Sequence, residues 1–244
     1  MSVTTTLRDI LICFFGAIKK SKKSKSIFYH DIHSDVTFTD MSTPVELFEK
    51  HIDIIRENNL EIVNKITKEE GQIAISFDDG WRGLLENIDV INKYQVPVTV
   101  FVISSYLGKQ NYISERELKD LCSNPLVSIQ SHTHTHPELY SLSEDNLKLE
   151  FSKSKEILQE ICGTEISSVC YPKGLFSEET IKTAEGVGYK NQYSSIPGAF
   201  YDEVFKNVKR RSLVQFASKK VFHSILKGGD NFLAFWYKLK HIRK

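Results

Sequence analysis

Gln72-Ile73-Ala74-Ile75-Ser76-Phe77-Asp78-Asp79-Gly80 is a short, mostly apolar run that ends in two adjacent carboxylates and a glycine. Such a run reads as a strand buried on both faces of a parallel sheet, with its acids at the carboxyl end and a sharp exit at Gly80. Adjacent side chains leaving a strand point in different directions, so one carboxylate can serve a metal and the other a water beside it. Further along, His132-Thr133-His134-Thr135-His136 follows a second strand candidate, Leu126 to Ser131. If the chain turns helically there, His132 and His136 project from one side. With one aspartate they make a facial set of three ligands that leaves positions open for water and substrate, as in catalytic zinc or iron sites. An Asp-Asp-Gly alone is commonly a turn, and a histidine pair alone is commonly a solvated surface. At the ends of two consecutive strands of one domain they address the same place, because α/β barrels gather their active sites at the carboxyl ends of strands.

The rest of the chain alternates in kind. Strand candidates lie near Ser26 to Ile32, Gln72 to Asp78, Pro97 to Ser104, Leu126 to Ser131, Ile166 to Tyr171, Tyr189 to Ser194 and Val208 to Phe216. Amphipathic helical patterns run over Trp81 to Tyr94, Glu115 to Cys122, Glu144 to Ile161 and Glu178 to Val187. Thr43-Pro44-Val45-Glu46 reads as a capping box with proline at the first helical position, followed by Leu47, Ile54 and Ile55 at helical spacing. This alternation specifies an α/β domain with a mostly parallel sheet. A chain of 244 residues accommodates one such domain and not a second catalytic one.

These residues resemble the polysaccharide deacetylases, the carbohydrate esterase group with the NodB homology domain. Its first motif, T/S-F-D-D-G, matches Ser76 to Gly80, and its second, H-S/T-x-x-H, matches His132 to His136. A third, R-x-P-x-G, matches Cys170-Tyr171-Pro172-Lys173-Gly174 with cysteine in place of arginine. Phe28-Tyr29-His30-Asp31 is similar to the Y-H near the start of the branch that deacetylates poly-N-acetylglucosamine, in which that arginine is commonly missing too. The likeness runs from about Ser26 to about Phe216. It implies a distorted (β/α)7 barrel and a metal-dependent N-deacetylase of N-acetylhexosamine residues in a polysaccharide or its lipid-linked precursor. By the same resemblance Asp79, His132 and His136 bind a divalent metal, and Asp78 is the general base toward the metal-bound water. Zinc is the default for this ligand set, which also suits iron, cobalt or nickel. The resemblance implies a backbone N–H near Lys173 for the oxyanion, on a loop shaped by Pro172 and Gly174, with Tyr171 lining the sugar pocket.

The chain also departs from that pattern. It lacks the late histidine that serves the group as general acid, and the D-x-x-D-W motif that orients an arginine. We assign His30, at the end of the first strand candidate, as the acid or a substrate ligand. Two other readings remain open: a carbohydrate-binding protein that keeps the barrel without turnover, and a hydrolase of another amide such as a formyl group or a cyclic amide.

The net charge of +1, from 32 basic and 31 acidic residues, gives no global field for nucleic acid. Cys13, Cys122, Cys162 and Cys170 show no paired spacing, and a bridge at Cys170 would obstruct the site, so a reducing, cytoplasmic compartment is expected. His51, His223 and His241 read as surface residues, and His134 as a supporting residue that points away from the metal. Leu7 to Ile18 is apolar and runs into Lys19-Lys20-Ser21-Lys22-Lys23-Ser24-Lys25. It is shorter than the roughly 20 residues that span a bilayer, and its charge follows its apolar core, unlike a secretory signal. Phe232 to Lys238, continuing to Arg243, repeats the aromatic and basic mixture. The two ends together point to peripheral attachment at the inner face of a membrane. The chain thus divides into an apolar and polybasic segment (1–25), the deacetylase-like domain (26–216) and an aromatic, basic segment (217–244).

Overall fold

The computed structural model describes the backbone of residues 3–202 and 205–241 and the side chains of 6–202 and 205–237. Its helices are α1 (Val3–Lys19), α2 (Val45–Glu57), α3 (Gly83–Glu86), α4 (Ile88–Tyr94), α5 (Glu115–Cys122), α6 (Glu144–Cys162), α7 (Glu178–Gly186), α8 (Lys219–Leu226) and α9 (Leu233–His241). The strands are β1 (Lys25–Tyr29), β2 (Asp31–His33), β3 (Ser42–Pro44), β4 (Glu61–Ile62), β5 (Gln72–Asp79) and β6 (Val98–Val102). They continue with β7 (Val127–Ser131), β8 (Ser168–Cys170), β9 (Asn191–Tyr193), β10 (Val208–Lys209) and β11 (Arg211–Leu213). The main sheet is parallel throughout, in the order β10-β9-β8-β7-β6-β5-β1-β11, with β4 added to β5.

Closure of the barrel depends on one residue. β10 pairs with β9 at one end of the sheet and β11 pairs with β1 at the other, and only Arg210 separates them. The last strand candidate, Val208 to Phe216, is therefore one chain segment shared by both edges, which makes a distorted (β/α)7 barrel and leaves neither edge open. Register then aligns the chemistry. Asp79 is level with Val102, and Val102 with Ser131, so the acids of β5 and the histidines just beyond β7 reach the same height on the carboxyl face.

Apolar side chains fill both layers around the sheet. Phe48, Ile52 and Ile55 of α2 and Phe77 of β5 are buried in the main core, where each contributes roughly 1.5–3 kcal/mol through removal from water.

The structure departs from several of the sequence expectations. Thr43 does not cap α2; its hydroxyl donates to the Gln215 carbonyl at 2.8 Å, Ser42–Pro44 is a strand, and Pro44 stands at the N-cap. A long-range hydrogen bond has taken the side chain that a local cap would use. His51 is buried, bonded to Tyr29 Oη and the Ala217 carbonyl at 2.8 Å each, and stacked on Phe222. Burial pushes its pKa down to about 4, so it is a neutral core residue. His223 is half-buried against Asn58, and the side chain of His241 lies outside the described residues. Cys122 and Cys162 form a disulfide, contrary to the expectation of unpaired thiols. They end α5 and α6, and the packing of those helices sets their Cα atoms 5.5 Å apart, a distance a bridge spans readily.

Candidate metal centre

β5 delivers its two carboxylates in opposite senses. Asp79 has φ 74° and Gly80 φ 84°, so the chain turns away at once and the two acid side chains diverge. A non-glycine residue held in this region is strained, a feature common where surrounding contacts fix a functional geometry.

Asp79 faces the histidines. Its Oδ1 lies 3.4 Å from His132 Nε2 and 3.7 Å from His136 Nε2. Two ligands each about 2.1 Å from one tetrahedral ion stand roughly 3.4 Å apart, so the spacing of this donor set fits a divalent cation; the three ligand atoms all lie within 4.8 Å of one another. The Nδ1 of His132 is 2.9 Å from the Cys170 carbonyl, which places its proton there and leaves the Nε2 lone pair available to a ligand role. Asp79 Oδ2 accepts from Trp81 Nε1 at 3.0 Å, and Trp81 stacks on Tyr112, so the carboxylate is pinned with Oδ1 toward the histidines.

The histidines do not meet on a helical turn, as the sequence led us to expect. Residues 132–138 are an irregular loop in which Thr133 (φ 68°) and His136 (φ 61°) are left-handed. Buried Glu150 of α6 holds that loop: it accepts from the backbone N–H groups of His134 and Thr135 at 2.9 and 2.8 Å and from the Thr135 hydroxyl at 2.6 Å. His134 turns away to Ser104. Sequence reasoning missed Glu150 because nothing in an amphipathic helix marks which acid faces a loop. Glu150→Ala should raise the dissociation constant for zinc about 10–100-fold, as loss of support behind a ligand does; unchanged affinity in titration calorimetry would show that the loop keeps its shape without this carboxylate.

Asp78 faces an arginine that sequence analysis had counted as missing. Arg211 of β11 is 1% exposed and places Nη1 and Nη2 each 2.7 Å from the two carboxylate oxygens of Asp78. Its Nε donates to the Ser194 carbonyl, Nη1 also to Ser76 Oγ, and Nη2 also to Cys170 Sγ, so all five donors of the fork are used. The guanidinium lies 4.4 Å from the Phe28 ring centre and 5.0 Å from that of Phe101. The third motif has cysteine where arginine is usual, and the cation arrives from another strand. The basic run Lys209-Arg210-Arg211 inside the strand candidate Val208 to Phe216 was the available signal, since alternate side chains of a barrel strand turn inward and a buried cation requires an acid partner.

Electrostatics separates the acids from the bases. Burial opposes charge on Asp78, but the Arg211 charge and bonds hold it below the usual carboxylate range. Burial likewise opposes charge on Asp79, and the His132 bond and charge bring it well below that range. Burial pulls His132 down, yet the neighbouring Cys170 and Asp79 leave it raised, whereas burial and the His132 charge lower His136 to about 4.

A cleft of about 570 Å³ opens above these groups. His30 lines it, half-buried, with Nδ1 2.6 Å from Gln215 Oε1. Lys173 and Gly174 line it from the loop after β8, where both have positive φ (56° and 68°). A Cβ at Gly174 would collide with the Ser195 hydroxyl, so the loop can approach this closely only with glycine there. Pro172 is buried at the start of that turn. Tyr171 borders the cleft, but its hydroxyl donates to Gln192 in the core and its ring packs on Phe176, which leaves its side chain out of a sugar's reach.

The family model described as polysaccharide deacetylase matches residues 65–192. YxkH of Bacillus subtilis, assigned by name to the polysaccharide deacetylases, is 28% identical over 192 residues, covering 74% of this chain and 67% of that protein. The poly-beta-1,6-N-acetyl-D-glucosamine N-deacetylase of Staphylococcus aureus is 27% identical over 139 residues, 50% of this chain and 47% of that enzyme. The chain thus matches about two thirds of the first relative's length and about half of the second's. A solved polysaccharide deacetylase from Bacillus cereus superposes with a TM-score of 0.73 at 22% identity, over 84% of this chain and 69% of that one, a likeness of fold.

Proposed function

Since the chain belongs to the polysaccharide deacetylase family, we propose that it is a metal-dependent N-deacetylase acting on N-acetylhexosamine residues of a polysaccharide or its lipid-linked precursor. The observation that carries this is the pairing of Asp79, His132 and His136 with the separately held Asp78–Arg211 couple on the floor of one cleft. The staphylococcal relative supports the substrate class, since its name specifies a poly-N-acetylglucosamine.

Each residue has a distinct task in this reading. Asp79, His132 and His136 would hold a divalent ion, zinc by donor set, which would supply Lewis acidity and acidify a water to about neutrality. Asp78 takes a proton from the attacking water; Arg211 keeps it ionised and aimed. The Lys173 backbone N–H, on the turn set by Pro172 and Gly174, stabilises the oxyanion. His30 protonates the departing amine or holds the sugar, with Gln215 fixing its ring. Cysteine at the motif-arginine position does not favour a barrel without turnover in this reading, because Arg211 supplies a cation beside Asp78.

Acetate release from an N-acetylglucosamine oligomer and from a lipid-linked N-acetylhexosamine tests the assignment. The zinc-loaded protein should release acetate from at least one, His132→Ala should abolish release, and His30→Ala should lower turnover by about 10²-fold or more. Full turnover in His30→Ala would remove that residue from the mechanism. No release from either substrate, with zinc bound, would favour a binding protein or another amide.

We assign the inner face of a membrane as its location. The polybasic segment at Lys19–Lys23 supports this, since anionic lipid lines that face; the Cys122–Cys162 bridge removes the cysteine argument for a reducing compartment. Labelling of intact cells with a membrane-impermeant amine reagent should leave the protein unmodified until the cells are broken, and modification in intact cells would overturn the assignment.

A further inference from the structure

α1 is apolar on two opposite faces. One face packs on the barrel: Ile12 is buried, Gly16 lies against Ser224 of α8, and Phe15 meets Phe232 at 4.8 Å between ring centres. The other carries Leu7, Ile10, Phe14 and Ile18, which are 58%, 59%, 58% and 62% exposed. Their spacing of three, four and four residues puts them on one stripe about three turns long. Single exposed apolar residues are ordinary, but a contiguous stripe marks a surface that meets something.

What it meets is indicated by the residues that follow. Lys19, Lys20, Lys22 and Lys23 are exposed at the carboxyl end of this helix, in a chain whose overall charge is only +1. Lys23 pairs with Asp202, and the other three place exposed positive charge where the helix ends. Apolar side chains beside a lysine cluster match the interface of an anionic bilayer, where the former enter the acyl boundary and the latter meet phosphates. No helix among the described residues is long and apolar enough to cross a membrane.

A second exposed apolar group lies at the cleft, on the helix that packs beside α1. Phe232, packed on Phe15 of α1, precedes α9 by one residue, and Trp236, about one turn further, lines the cleft while 66% exposed; its neighbour Phe235 is 64% exposed. Leu213, 40% exposed, lines the cleft as well. The geometry points to a docking face for anionic lipid bilayers on α1, which sets the mouth of the catalytic cleft, at Trp236, against the bilayer. Substrate held at a membrane surface would then enter without leaving it. This docking does not depend on the deacetylase reading.

Sedimentation with vesicles of phosphatidylcholine, alone or with about one third phosphatidylglycerol, tests it on the full chain. Partition should favour the anionic vesicles and weaken as salt rises from about 0.1 to 0.5 M, where screening shortens to a few ångströms. The double variant Ile10→Glu and Phe14→Glu should lower partition at least about tenfold, and Lys19→Gln with Lys20→Gln and Lys22→Gln should abolish the anionic preference, with thermal unfolding unchanged in both. Brominated lipid should quench a tryptophan signal that Trp236→Phe removes. Absent partition, or partition indifferent to the α1 variants, would overturn the docking face; so would a concentration-dependent dimer, abolished by Phe14→Glu, in a protein that ignores vesicles. Partition without Trp236 quenching would overturn the placement of the cleft mouth.

Discussion

Asp78→Asn should lower kcat for deacetylation by about 10³–10⁴ while zinc content stays that of the wild type, because in the proposed mechanism the change would remove the base and leave the three candidate ligands in place. Single-turnover acetate release with metal analysis on the same sample checks both halves. A variant that keeps a tenth of the activity would show that the proton goes elsewhere, and one that loses zinc would merge Asp78 into the metal site. The pH dependence separates the groups further. Arg211 holds the Asp78 pKa below the usual range, so this base stays ionised through weakly acidic conditions. Activity that falls as pH drops below neutral must then come from the histidines: His132 binds its proton more tightly than a free imidazole, and protons compete there with the metal. Excess zinc should therefore move the acid limb of the profile to lower pH. An acid limb indifferent to zinc would assign it to some other group.

Arg211→Met should destabilise the fold by about 3–5 kcal/mol at pH 7, since it strands a buried carboxylate whose five-donor partner is gone. Urea unfolding measures it. The sign follows from the depressed pKa of Asp78: the pair's contribution is present above the unfolded carboxylate pKa, about 3.9, and is lost as pH falls through the lower folded value. The gap between wild type and Arg211→Met should accordingly narrow in acid. Turnover should fall at least about tenfold as well, because Asp78 without its cation tends to hold a proton and cannot accept one. Arg211→Lys should recover part of the stability and little of the turnover, as one ammonium cannot span both carboxylate oxygens. A variant as stable as wild type would mean that the Asp78–Arg211 pair contributes nothing to the fold, and wild-type turnover in it would mean that the base does not rely on Arg211.

Much of the architecture was legible in local pattern. The run from Gln72 to Asp79 is a strand because alternate and adjacent positions are apolar, and its acids fall at its carboxyl end by simple counting. The helices at Glu115–Cys122, Glu144–Cys162 and Glu178–Gly186 follow from spacing, with Ser114, Ser143 and Ser177 supplying the caps. His132 and His136 were legible as partners of Asp79, although the route was wrong: two left-handed residues and Glu150, and no helical turn, bring the rings together.

Legible along the chain, then, is whatever depends on near neighbours: the period of the strands and helices, the adjacency of Asp78 and Asp79, and the apolar and basic character of the first segment. Tertiary structure decided whatever depends on residues far apart in sequence and close in space. Arg211 reaches Asp78 across 133 positions, Thr43 reaches Gln215 across 172, and Cys122 meets Cys162 across 40. Burial then decided charge, since the same His51 that reads as a surface residue is neutral in the core. The physical reason is common to all of these: a side chain's partner and its access to water are set by the packing of the closed barrel, which periodicity along one strand does not contain.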